Sequence, residues 1–229
     1  MNPRRLINTL LMSLALAVGP AGCAGSGTEE AAEVPVPDLV QETMEGNAGV
    51  LNPNLAGEEE LLVLPHLDEV MVGAILKQRP FVMMTELTAQ FGVALSQEQR
   101  SELYVMLFVP MNLNTTAEED FQLVPGVGPR LAHEFEEYRP YVSIEQFRRE
   151  IGKYVDEEEV ARLEQYVFVP INLNTASDEE ILSIPGVGER LLHEFKEYRP
   201  YDSIEQFRRE IGKYVDDQEI SRLERYVTL

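Results

Sequence analysis

The chain repeats itself. Ser143 to Asp156 recurs without a single change as Ser203 to Asp216. Asn112-Leu-Asn-Thr returns as Asn172-Leu-Asn-Thr, and Pro125-Gly-Val-Gly as Pro185-Gly-Val-Gly, always 60 residues on. Between 111–169 and 171–229, 39 of 59 positions are identical. A third copy precedes these in the same register. Leu51-Asn-Pro-Asn aligns with Met111-Asn-Leu-Asn, Pro65 with Pro125, Arg79-Pro80 with Arg139-Pro140, and Phe108-Val-Pro110 with Phe168-Val-Pro170. A strict period of this length means an array of small units, 51–110, 111–170 and 171–229. Units this small have marginal cores alone, so neighbours are expected to share packing.

Each unit reads as four short helices. In the second copy, Thr115-Thr-Ala-Glu118 has the capping-box pattern, and the first helix is expected to run through Asp120 to Val124. Pro125-Gly-Val-Gly128 breaks it, and Pro129 suits the first position of a second helix. There Leu131, Phe135 and Tyr138 share a face, and Arg139-Pro140 ends the run. A third helix carries Ile144, Phe147 and Ile151. Asp156 is expected to cap a fourth that holds Val160, Leu163 and Val167. Ser96 takes the same capping position in the first copy. No stretch alternates as a strand would, so the expected fold class is all-α.

The N-terminus has the layout of an address. Arg4-Arg5 precede a short apolar run, Leu6 to Gly19, too short to span a bilayer as a helix. Ala21-Gly22-Cys23 follows and resembles the lipobox of bacterial lipoproteins, although Pro20 stands where Leu is usual. The resemblance implies a signal peptide over 1–22, a lipidated Cys23, and secretion across the inner membrane to an anchored place in the cell envelope. Cys23 is the chain's one cysteine, which also excludes an internal disulfide and a cysteine-rich zinc site. Residues 24–50 hold six acids and no base. With the anchored cysteine they form a linker, 23–50, that reaches roughly 30 Å as a coil.

The second and third copies resemble the helix-hairpin-helix domain of ComEA-type competence DNA receptors. The match runs through Asn-Leu-Asn-Thr, the Ile-Pro-Gly-Val-Gly turn, Tyr-Arg-Pro-Tyr and Ser-Ile-Glu-Gln-Phe. It covers 111–229 and, weakly, 51–110. The resemblance implies an all-α chain of three tandem helix-hairpin-helix units, the first degenerate. It also implies sequence-independent binding of double-stranded DNA. Backbone amides at the glycine turn and the next helix N-terminus would face a phosphate, beside a basic side chain. Carried over, that cradle is Gly126, Val127, Gly128 and Arg130, and again Gly186, Val187, Gly188 and Arg190. In the first copy His66 and Asp68 replace both glycines and Val70 replaces the arginine, so that copy should not bind phosphate this way.

Charge points elsewhere. The formal net charge is −21. It is spread over every unit, and the basic runs Arg148-Arg149 with Lys153, and Arg208-Arg209 with Lys213, are expected to pair within their helices, Glu145 with Arg149 for example. Affinity for a phosphate backbone comes mainly from Lys and Arg, so this composition opposes nucleic-acid binding. The alternative is an acidic docking or scaffold lipoprotein whose partner is another protein. No nucleophile–base pair, phosphate-binding Walker loop, calcium loop or paired histidine motif occurs. The expectation is therefore no enzyme, no cofactor and no metal.

Overall fold

A computed structural model describes residues 49–92 and 94–229. The signal-peptide reading of 1–22, Cys23 and most of the 23–50 linker lie outside the described residues. The described chain is helical, with twelve helices and four strands of two residues. The first copy contributes α1 (Glu58–Leu62), α2 (Glu69–Gln78), α3 (Met84–Phe91) and α4 (Gln97–Tyr104). The second contributes β1 (Met111–Asn112), α5 (Glu118–Phe121), α6 (Pro129–Glu137), α7 (Ile144–Ile151), α8 (Glu157–Glu164) and β2 (Val167–Phe168). The third contributes β3 (Ile171–Asn172), α9 (Asp178–Leu182), α10 (Glu189–Glu197), α11 (Ile204–Ile211), α12 (Asp217–Glu224) and β4 (Val227–Thr228).

The strands were not foreseen. β1 pairs in parallel with β2, β3 with β4, and Leu51 bridges Leu107 in the same sense. Each copy is thus tied start to end. Two residues are too few for an alternating pattern, so periodicity could not reveal them. Val167, expected inside the fourth helix, lies in β2, because α8 stops at Glu164.

The first helix of the second copy also differs from expectation. Its N-cap is Ala117, not Thr115, and it ends at Phe121. The amides of Thr115 and Thr116 are held by the Asn112 carbonyl at 3.2 and 3.0 Å, which keeps both residues in the preceding turn. In the third copy the cap is Ser177, in a capping box with Glu180. The other caps fall as expected. Pro129 opens α6, Asp156 caps α8 by accepting from the Glu159 amide, and Ser96 caps α4.

The repeated Asn-Leu-Asn-Thr and Arg-Pro motifs are structural fasteners. The Asn114 side chain accepts from the Tyr141 amide at 2.7 Å and donates to the Tyr141 carbonyl at 2.9 Å. Asn54 holds Phe81 and Asn174 holds Tyr201 in the same way. Arg139 donates to the Leu113 and Thr116 carbonyls, and Arg199 to those of Leu173 and Ala176. The peptide bond after each of these arginines, and after Arg79, is cis. Burial pulls the Arg79 pKa down to about 10.

The first two copies share one apolar core, and the third has its own, beginning at Phe168. Inside the second copy Phe121, Phe135 and Phe147 are fully buried and meet edge to face, 5.2 Å between successive centroids. Each such ring contributes about 1.5–3 kcal/mol by burial. Neighbouring copies meet through one repeated contact. Phe108 packs on Tyr166 with centroids 5.0 Å apart, and Phe168 on Tyr226 at 4.3 Å. Thr228 and Met106 depart from the pattern, standing where a further phenylalanine and a further tyrosine would. The first and third copies also touch. Arg225 donates to the carbonyls of Pro110 at 2.9 Å and Phe81 at 3.4 Å.

Candidate functional site

The three turns between the first and second helices of each copy have one backbone shape and three different surroundings. Gly126 and Gly186 have φ of 84° and 82°, in the left-handed region that favours glycine. In the first copy His66 takes this place with φ of 67°. Histidine tolerates that region better than bulky or branched residues do.

The first turn is closed by its own residues. Asp68 caps α2 by accepting from the Met71 amide at 2.8 Å. A carboxylate therefore sits where a phosphate would approach the helix N-terminus. His66 Nε2 lies 2.7 Å from Glu102.

The second turn is open. Gly126, Gly128 and Arg130 are exposed, and only Val127 is buried. α6 starts from Gly128, which has no side chain to cap it, and Pro129 brings no N–H. The amides of the first turn thus have no side-chain partner. Among the described residues Arg130 forms no ion pair, whereas the other bases of this copy do. The Val127 amide is already used, donating to the Val124 carbonyl at 3.0 Å, so it does not belong to an open cradle.

The third turn is covered. Gly186 and Val187 are buried and Gly188 half-buried, while Arg190 remains exposed. A Cβ on Gly186 would meet Leu55 of the first copy at 3.1 Å and Arg222 at 3.0 Å. The Val187 amide donates to Ile184. Glu189 adds a negative charge at the first position of α10.

Two arginines near these turns escaped the sequence reading. Arg162 donates to the Pro125 carbonyl at 2.7 Å and pairs with Glu159 through both of its oxygens. Arg222 pairs with Glu219 in the same two-pronged way, at 2.7 and 2.6 Å, but its side chain is only 1% exposed. The signal was present as a set of exchanges. Where the second and third copies have Gly, Glu and Arg, the first has His66, Gln99 and Glu102, and these three again meet.

The basic runs are spent. Arg148 pairs with Glu164 at 2.5 Å and with Glu145 at 3.7 Å; Arg149 and Lys153 both pair with Glu150. The expected Glu145–Arg149 contact does not form, because Arg148 faces α8 and takes Glu145 with it. The third copy repeats the arrangement through Glu224, Glu205 and Glu210. Beside the open turn, His133 hydrogen-bonds Glu118 at 3.2 Å, and that bond raises its pKa, but the proton so held is offset by the carboxylate. On α10, ligand atoms of His193, Glu194 and Glu197 lie within 4.8 Å of one another, as exposed acids at helical spacing commonly do.

Compared with protein-family models, with curated proteins and with solved structures, the chain matches none.

Proposed function

We propose that the chain is a non-enzymatic acidic docking protein of the bacterial cell envelope, built of three tandem helix-hairpin-helix units and held to the membrane through a lipid on Cys23. The observation that carries the docking role is the closure of two of the three turns. Asp68 fills one cradle, Leu55 and Glu189 block another, and the basic clusters are consumed in ion pairs. That leaves little to hold a phosphate backbone against a strongly negative body.

The second turn favours a second reading. Its exposed glycines, uncapped α6 and unpaired Arg130 could take one phosphate of duplex DNA without reading sequence. One neutralised phosphate gives a salt slope of only about −0.9, hence weak binding. A duplex titration at roughly 20–50 mM salt, where phosphate contacts are strongest, separates the two. The docking role predicts no binding. Binding that is abolished by Arg130→Glu and indifferent to Arg190→Glu would replace it with the DNA role. The anchor has its own test: Cys23→Ala is expected to move the chain out of the membrane fraction or leave its signal uncleaved, and unchanged membrane attachment would contradict it.

A further inference from the structure

The second and third copies form a groove that reaches the outer side of the third turn at Ser183, Ile184 and Pro185. It runs between α7 and α8 on one side and β3 and α9 on the other, with Gly49 and Val50 at one margin. Its volume, about 1450 Å³, exceeds the ~300–1000 Å³ of small-molecule pockets and suits a stretch of peptide. Its rim carries Glu145, Glu157, Glu164, Glu179 and Glu180. Among the described residues the only base on it is Arg148, already held by Glu164 and Glu145. Apolar side chains line it as well, from Val169-Pro170 to half-buried Ile171 and to Val142, which is 79% exposed.

We infer that this groove docks an extended basic segment of a partner protein, with Lys or Arg side chains meeting the glutamate rim and apolar side chains entering between them. Charge complementarity selects that occupant. Five carboxylates and one arginine leave a net charge of −4 on the lining, which repels acidic chains and nucleic acid and attracts a basic one at distances up to about 8 Å in physiological salt. The chain's own linker, which enters at Gly49, has six acids and no base, so its charge is wrong for the groove. The equivalent position is the exposed Val82 in the first copy and Asp202 in the third, so of the later two copies only the second puts an apolar side chain there.

This inference rests on the docking role. A fluorescent ten-residue peptide of alternating Lys and Leu is the probe, titrated by anisotropy at 50 mM salt into the full chain. An alternating Glu and Leu peptide is expected not to bind. Replacing Glu145, Glu157 and Glu179 together with Gln should weaken binding of the basic peptide about tenfold, since each exposed pair contributes little alone. The triple variant Glu58→Gln, Glu59→Gln, Glu98→Gln removes the same charge outside the groove and should change binding less than twofold. Equal loss in both variants would overturn the groove while leaving an acidic docking surface. No binding of the basic peptide to the unaltered chain would overturn the docking role itself.

Discussion

Replacing Glu219 with alanine is expected to cost the protein about 3–5 kcal/mol, whereas the same change at Glu159 costs about 1 kcal/mol or less. The two glutamates sit at equivalent positions of α12 and α8, and each grips an arginine three residues on. What differs is cover. Arg162 and Glu159 are each about one-third exposed, so water replaces most of what the pair loses, and Arg162 keeps its bond to the Pro125 carbonyl. Arg222 is 1% exposed and already has one guanidinium nitrogen, Nη1, without a partner. Removing Glu219 leaves a buried cation with nothing to neutralise it. The double replacement Glu219→Leu with Arg222→Met removes both charges and should regain most of the loss. Urea midpoints of the three variants and the unaltered chain decide the matter. Equal shifts for Glu219→Ala and Glu159→Ala would mean that Arg222 reaches water in solution.

Much of the fold could be read from the repeat. A capping residue acts on amides two or three positions away, so Asp156 and Ser96 announced α8 and α4 without any tertiary knowledge. Phe135, Phe147 and Ile151 were legible as core for the same local reason. The parallel bridges were not. They join residues 56 apart through two-residue segments, and nothing in Met111-Asn112 distinguishes a strand from a loop. The capping pattern at Thr115 points to a helix start two residues early, because Thr115 fits that pattern as well as Ser177 does. Only the Asn112 carbonyl, which claims the Thr115 and Thr116 amides, shows otherwise.

The candidate site was legible in type and illegible in accessibility. Gly126 and Gly186 pointed to a tight glycine turn, which has a left-handed residue, and Asp68 pointed to a first turn of different chemistry, which its carboxylate caps. The second and third turns, identical over Pro-Gly-Val-Gly, gave no hint that one is open and the other buried. That difference arises from Leu55, which lies 131 positions before Gly186 in a different copy, whereas the neighbours of Gly126 are Arg162 and Glu159 of its own copy. The cover on a repeat's turn is a property of the array, so it cannot be read inside one repeat.

That asymmetry gives the second large effect. Gly186→Ala is expected to lose about 2–4 kcal/mol, and Gly126→Ala about 1 kcal/mol. Both glycines have the same left-handed backbone, so an added methyl group carries the same conformational cost of about 1 kcal/mol at either site. At Gly126 the new Cβ would lie 3.1 Å from Arg162 Nη2, the end of a partly exposed side chain with room to move. At Gly186 it would lie 3.0 Å from Arg222 Nη2 and 3.1 Å from Leu55 Cδ2. Arg222 is pinned by Glu219, and Leu55 belongs to a different copy, so the methyl group pushes the first and third copies apart. Such overpacking costs about 1–3 kcal/mol beyond the backbone term. Leu55→Ala makes room for the methyl group. The double variant should therefore be more stable than the two single losses add up to, whereas Leu55→Ala with Gly126→Ala should be additive. Thermal or urea unfolding of these variants measures the coupling, and additivity at both glycines would mean that the first copy does not cover the third turn.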